Sequence, residues 1–295
     1  MLDYRTETFL TLCETRSYTK AAELLCVTQP AVSQQIKFLE QAPGVKLFIY
    51  ENKELRLTAQ GALYEKALRT MRSDTGKLLE LMQHQNEPQH ICFGATLTIS
   101  GYVMPPIIRR FLSDFPHTRL TIREDNTQRL IESLREGVID FAFVEGHFEK
   151  SRFEYRLFSK ERFIAVCAPD HPLHKKKPFL AELLDEHLIL REPGSGTRNV
   201  LESILYEHNL STESFARVTE IGNMEVLKGL VAKGLGVTML YEAAVQKELR
   251  KRRLVRLALR DFDVEREFNF ICLKNSIMLD AYLQFFDYCK KYRRF

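Results

Sequence analysis

Between Thr28 and Gln41 a 3.6-residue repeat puts Val32, Ile36 and Leu39 on one face and Ser33, Gln34 and Lys37 on another. Gln29 and Ala31 join the polar face from the first turn. These side chains suit the edges of DNA bases. Glutamine pairs with adenine, lysine with guanine or a phosphate, and an alanine methyl meets the methyl of thymine. A merely solvated helix would carry more Glu and Lys there. Thr28 is a good N-cap, and Pro30 falls in the first turn, where its missing N–H costs little, so both sit at the leading end of the reading face.

A second chemistry lies at three junctions between an apolar run and a helical pattern. They are Ala95-Thr96-Leu97-Thr98-Ile99-Ser100-Gly101, Arg191-Glu192-Pro193-Gly194-Ser195-Gly196-Thr197-Arg198 and Glu220-Ile221-Gly222-Asn223-Met224. Each offers small or hydroxyl side chains where free helix N–H groups and the helix dipole favour an anion. Thr96, Thr98, Ser100, Ser195, Gly196, Thr197 and Asn223 are therefore expected to contact a small anionic effector. Plain helix capping accounts for each of them singly, and hydroxyl-rich loops also suit a neutral metabolite. Arg198 fits an effector carboxylate and a neighbouring acid equally well.

The elements that must position these residues can be read around them. Phe9-Leu10-x-Leu12-Cys13 marks a first helix ending near Arg16-Ser17, and a second carries Ala21-Ala22, small enough for close helix approach, with Leu25 pointing inward. Cys26-Val27-Thr28-Gln29 is the turn into the reading helix, which makes the pair a helix-turn-helix. Lys46–Tyr50 and Leu55–Leu57 then read as a hairpin with the tip Glu51-Asn52-Lys53-Glu54. As a wing, it would bring Lys53 and Arg56 to the phosphate backbone, which positions a protein without specifying sequence. Residues 1–58 hold seven basic and seven acidic side chains, so DNA binding must rest on their placement rather than their sum.

Residues 58–85 contain no proline. Tyr64, Leu68, Met71, Thr75, Leu78 and Met82 follow steps of four and three, the seam of a two-stranded coiled coil. A helix of that length reaches about 40 Å, too far to be covered by a 58-residue domain, so a homodimer is expected through it. Pro88-Gln89 marks a break. Beyond it strands are expected at 90–95, 120–124, 139–144, 163–168, 188–190, 216–221, 237–240, 254–257 and 268–273. Helices are expected near 128–136, 197–208, 224–233 and 279–291, giving an α/β region with parallel sheet.

Phe9…Ser17-Tyr18-Thr19-Lys20-Ala21-Ala22…Val27-Thr28-Gln29-Pro30-Ala31-Val32-Ser33-Gln34-Gln35-Ile36-x-x-Leu39-Glu40…Gly44-Val45-x-Leu47-Phe48…Leu57-Thr58-x-x-Gly61 resembles the DNA-binding domain of LysR-type transcriptional regulators. The family layout runs through the whole chain. One departure is Tyr50, where members usually place an arginine. The resemblance implies a mixed fold: an all-α winged helix-turn-helix over 1–58, a linker and dimerisation helix over 59–87, and an effector-binding domain over 88–295. That domain would be α/β, two-lobed and like a periplasmic binding protein, with lobe I at 88–162 and 268–295 and lobe II at 163–267. Crossover strands are expected near Phe163–Ala168 and Phe268–Leu273. The resemblance further implies a homotetramer on double-stranded DNA, with a small-molecule effector shifting the lobes and so the spacing of the DNA-binding heads.

Other classes find less support. Hydrophobic residues are 45% and charged ones 28%, ordinary for a globular protein, and no apolar run approaches membrane-spanning length. The N-terminus lacks the basic-then-apolar order of a signal peptide, so a cytoplasmic protein is expected and a secreted solute receptor is not. An enzyme would need convergent acid, base or metal groups, whereas the junctions hold mainly hydroxyls and amides. No cofactor or metal is expected. Cys167, Asp170, His171 and His174 crowd one segment, but Cys167 lies in an apolar run and Pro169 and Pro172 make the rest a turn. The six cysteines include no CxxC pair, and Cys92, Cys167 and Cys272 read as small hydrophobes in strands. The basic runs at 250–253 and 290–294 lie far from the reading helix in sequence and read as solvated surface or oligomer contact.

Overall fold

The computed structural model describes residues 3–51, 53–83 and 90–293. The expected break at Pro88-Gln89, the last residues of the expected linker helix, Asn52 at the wing tip and Arg294 of the second basic run lie outside the described residues. The chain divides into two compact units. One comprises residues 1–87 with the short segments 135–138 and 273–279, and the other comprises the rest.

The first unit opens with α1 (Tyr4–Thr15), α2 (Tyr18–Leu24) and α3 (Gln29–Gln41), followed by β1 (Phe48–Glu51), β2 (Glu54–Leu57) and the 25-residue α4 (Ala59–Gln83). Each short helix starts on a side-chain cap. The Asp3 carboxylate accepts from Arg5 N, Ser17 Oγ from Lys20 N and Thr28 Oγ1 from Ala31 N. Between α2 and α3 the backbone turns with Cys26 at φ 54°, the left-handed region. Phe9, Leu10, Leu12, Ala21, Val32, Ile36, Leu47 and Leu55 form one core; Leu25, expected inside, is half-buried. Strands β1 and β2 pair antiparallel, Phe48 opposite Leu57. Buried Glu40, on the last turn of α3, accepts from Leu47 N at 2.8 Å and Lys46 Nζ at 2.7 Å, tying the reading helix to the base of the wing.

α4 differs from its expected register. Tyr64 and Leu68 belong to the core of this unit, and the Tyr64 ring meets Phe9 edge-on at 5.0 Å. Buried Arg69, paired with Glu14 and Glu65, fixes the same face. Leu63, Met71, Leu78, Leu79 and Met82 are exposed. The exposed apolar stripe therefore begins one residue earlier than the heptad reading placed it, because the first turns must cover their own domain.

Apart from residues 135–136, 273 and 279, the second unit contains β3 (His90–Ala95), α5 (Met104–Asp114), β4 (Arg119–Glu124), α6 (Thr127–Glu136), β5 (Phe141–Glu145), β6 (Phe153–Cys167), β7 (His187–Leu190), α7 (Gly196–Glu207), β8 (Arg217–Glu220), α8 (Met224–Ala232), β9 (Thr238–Tyr241), α9 (Glu242–Arg250), β10 (Val255–Leu257), β11 (Val264–Leu273) and α10 (Leu279–Lys291). A first lobe is built on β3, which pairs parallel with β4 and β5; residues 268–272 of β11 add to β5 antiparallel. Phe93, Phe141, Phe143, Phe270 and Phe285 pack at its centre. The second lobe sets residues 163–167 of β6 against β9 and β10, both antiparallel, with β7 and β8 parallel beside them. Its core holds Ile164, Val166, Ile189, Leu227, Val231, Leu240 and Leu254. The sheets are thus mixed rather than parallel. Residues 163–167 and 268–272 are already engaged in one lobe, so β6 and β11 change lobes upstream of the segments expected to cross.

Candidate functional site

The face expected to read DNA is open. Thr28, Gln29, Pro30, Gln34 and Lys37 are exposed, and Ala31 and Ser33 are half-buried, while Val32 and Ile36 are fully buried beneath them. Gln29 Nε2 donates to Ser33 Oγ at 3.2 Å, which aligns two of the polar side chains along the helix. Phe38, passed over in the sequence pattern, is half exposed and carries the Arg5 guanidinium over its ring at 3.8 Å. In the wing Lys53 occupies the turn with φ 66°, and Arg56 donates to Glu54 at 2.8 Å. Both are exposed, but Arg56 already has an acid partner.

In the second unit, two of the three junctions converge. Thr96, Thr98, Ser195, Gly196 and Thr197 are all buried, and Thr98, Gly196 and Thr197 lie against Glu145, which ends β5 and is only 2% exposed. Thr98 Oγ1 donates to Glu145 Oε1 at 3.2 Å and Thr197 Oγ1 donates to the same oxygen at 3.0 Å. Thr98 comes from the first lobe and Thr197 from the second, and their hydroxyls are 3.4 Å apart. The Glu145 main-chain carbonyl accepts from Thr127 Oγ1 at 2.7 Å. A Cβ on Gly196 would lie 2.6 Å from Glu145 Cγ, so only glycine lets α7 start this close. The hydroxyl of Ser195 makes no cap bond to α7, nor does that of Thr98 to the π turn Ile99–Val103 that follows it.

Electrostatics mark the same spot. Burial raises the Glu145 carboxyl to about 7, against the opposing pull of the Thr197 and Thr98 hydroxyls, Arg191 and the Thr197 backbone N–H. Tyr241, fully buried on β9, is raised well above its usual value, first by burial and then by Glu145. Among the described residues, Glu145 Oε2, Arg191 Nη1 and the Tyr241 hydroxyl are buried without a hydrogen-bond partner, as is Thr96 Oγ1 at the first junction. Sequence reasoning missed Glu145, Arg191 and Tyr241. The available signal was a carboxylate closing an otherwise apolar strand, followed directly by Gly146.

The remaining expected residues do other work. Asn223 is exposed, and its Oδ1 accepts from Glu225 N and Val226 N, which is ordinary capping of α8. Arg198 is held by neighbouring acids, Glu202 and Glu220, each at 2.7 Å. Ser100 is half-buried within the π turn. From the same turn Tyr102 donates to Glu225 of the second lobe at 2.8 Å. Lys228 lies 4.6 Å from the Tyr102 ring and pairs with Glu225 and Glu248, so a second polar contact joins the lobes. A cavity of about 630 Å³ opens nearby, lined by Gly146, His147, Lys150, Asn199, Ser203 and Arg266 among others. None of the eight expected effector residues lines it.

Cys13, Cys167, Cys272 and Cys289 are buried, Cys92 is half-buried and Cys26 is exposed; burial pushes Cys167 up to about 12. No helix among the described residues is long and apolar enough to cross a membrane.

Two family models match. Residues 5–62 match the bacterial regulatory helix-turn-helix protein of the lysR family, and residues 84–294 match the LysR substrate binding domain. The chain belongs to the LysR family of transcriptional regulators. It is 30% identical over 284 residues to the HTH-type transcriptional activator CmpR of Synechocystis, covering 96% of this regulator and 92% of CmpR. To the HTH-type transcriptional regulator CysL of Bacillus subtilis it is 28% identical over 268 residues, 90% of this chain and 89% of CysL. The fold matches full-length LysG of Corynebacterium glutamicum, solved with its bound effector arginine, at a TM-score of 0.62 or above: 0.64, with 16% identity and 99% of both chains covered. This regulator therefore pairs a DNA-binding head with an effector-binding domain, and the relatives it matches are named as regulators of transcription rather than as enzymes.

Proposed function

We propose that this regulator reads double-stranded DNA with Gln29, Ala31, Ser33, Gln34 and Lys37 of α3, with Thr28 and Pro30 at its leading end and Lys53 and Arg56 positioning the wing. It acts as a homodimer through α4 and assembles further to a homotetramer, and a small anionic effector bound between the two lobes sets its activity. Its place of work is the cytoplasm. The observation that carries the effector reading is that two of the junctions, one from each lobe, bury five small or hydroxyl residues, of which Thr98, Gly196 and Thr197 meet at Glu145 at the start of α7. Their hydroxyls are not spent on capping, unlike the Asn223 side chain. The exposed Leu63, Met71, Leu78 and Met82 support the dimer, since an apolar stripe of that length on a long helix calls for a partner.

The test is a thermal-shift screen of the full chain against small carboxylates, sulfate, phosphate and amino acids. A ligand that prefers the native state must stabilise it in proportion to its concentration. Thr98→Ala and Ser195→Ala are expected to weaken the response at least tenfold each. If both variants respond as the parent does, the effector does not bind at this point.

A further inference from the structure

The amides at the start of α7 and the hydroxyls of Thr98 and Thr197 form the cradle expected for an anion, and in this structure the protein fills it with its own carboxylate. Only half of that carboxylate is satisfied. Oε1 accepts from two hydroxyls, while Oε2 is buried with no partner. Two further buried atoms belong to residues close enough to interact electrostatically with Glu145: Arg191 Nη1 and the Tyr241 hydroxyl are also without partners among the described residues, and both can donate. The other two guanidinium nitrogens of Arg191 fork to Glu192 at 2.8 Å. A site with two spare donors attracts an oxyanion. A second anion beside an ionised, water-excluded carboxylate is strongly disfavoured, as in any pair of carboxylates sharing one pocket.

We propose that a small oxyanion effector binds beside Glu145, between the lobes, together with one proton, which is carried on Oε2 of Glu145 and hydrogen-bonds to the ligand. This deepens the anionic-effector reading above and rests on it. The proton comes from solvent, binds Oε2 and returns there when the ligand leaves, so no bond other than that O–H is made or broken. The groups facing Glu145 agree with this assignment. From the first lobe come the Thr98 hydroxyl on Oε1 and Thr127 on the main-chain carbonyl. From the second come the Thr197 hydroxyl and N–H, the Arg191 cation and the Tyr241 hydroxyl, the last also near Arg266 and Glu161. Arg191 already pairs with Glu192, so no spare cation offsets a second anion beside Glu145, and the neutral acid is the form of Glu145 that admits one. Burial has already brought the Glu145 carboxyl to about 7, so taking up that proton costs little near neutrality.

The experiment is isothermal titration calorimetry of the full chain with sulfate and with acetate at pH 6 to 9, where neither probe titrates. Each pH is run in two buffers of different ionisation enthalpy, so that protons taken up on binding are counted directly. The expected result is uptake of one proton above pH 7 and affinity falling about tenfold per pH unit there. Glu145→Gln should bind with affinity independent of pH and no proton uptake. Binding of either anion to the parent without proton uptake overturns the proton coupling while leaving the anionic reading intact. That count needs no variant, so it holds even if Glu145→Gln misfolds. Failure of both anions to bind either protein at any pH overturns the coupling and the anionic reading together.

Discussion

Glu145 follows four buried apolar residues, so the burial of its neighbours carries its carboxyl into the protein. A consequence for stability follows without any ligand. Its folded value of about 7 lies above the ordinary 4.5, so the folded state holds the proton more tightly than the unfolded chain does. The stabilisation is complete below pH 4.5 and is lost as pH rises through 7. At roughly 1.4 kcal/mol per pH unit of difference, the loss between pH 4.5 and 8 is about 3 kcal/mol. Urea unfolding of the parent and of Glu145→Gln across that range should show the variant gaining on the parent by about that amount towards pH 8. Parallel curves would mean that the buried carboxyl is not where this pH dependence resides. Residue types and spacing made Thr96, Thr98, Ser195 and Thr197 legible as candidates, because hydroxyls before a helical pattern are a local signal. Which junctions meet is a matter of strand order, and local spacing carries no information about that. Asn223 has the same local signal and only caps α8, whereas Glu145 has almost none and sits at the centre.

The elements themselves were readable where one periodicity dominated. The final helix, Leu279–Lys291, has the expected bounds, and β5 and β7 lie within a residue or two of theirs. Helix α5 was not among the expected elements; its Pro105-Pro106 occupy a first turn, where proline is tolerated. The first half of β6 was hidden because it changes lobes, and its exposed residues follow no single alternation. The linker helix shows the same limit in another form. A heptad count assigns Tyr64 and Leu68 to the dimer seam, but the head's own core claims them and leaves Leu63 outside. Two sets of substitutions should therefore part company. Leu78→Glu with Met82→Glu is expected to yield a folded monomer by sedimentation equilibrium, with helical circular dichroism nearly unchanged. Tyr64→Glu buries a charge in the head and should lower its stability by several kcal/mol instead. A dimer that survives the paired change would place the interface elsewhere.

At the scale of the whole molecule, charge decides how the regulator must hold DNA. Residues 1–58 carry no net charge, and Arg56 of the wing is paired with Glu54, so one head has little sequence-independent attraction to phosphate. In the proposed dimer, affinity comes from direct contacts made by two heads at once. Tying two weak readers together raises apparent affinity by about 10²–10⁴ when both half-sites lie within reach, and by nothing when they do not. Two measurements on a duplex that carries the regulator's binding site separate this from strong binding by a single head. In fluorescence anisotropy, the monomeric Leu78→Glu, Met82→Glu protein should bind at least a hundredfold more weakly than the parent. Inserting about five base pairs between the half-sites turns one of them to the opposite face of the duplex, and should weaken the intact protein to a similar degree. Undiminished binding by the monomeric protein would show that one neutral head suffices. The polar face of α3 would then have to supply far more energy than its few amides, one hydroxyl and one lysine can be expected to give.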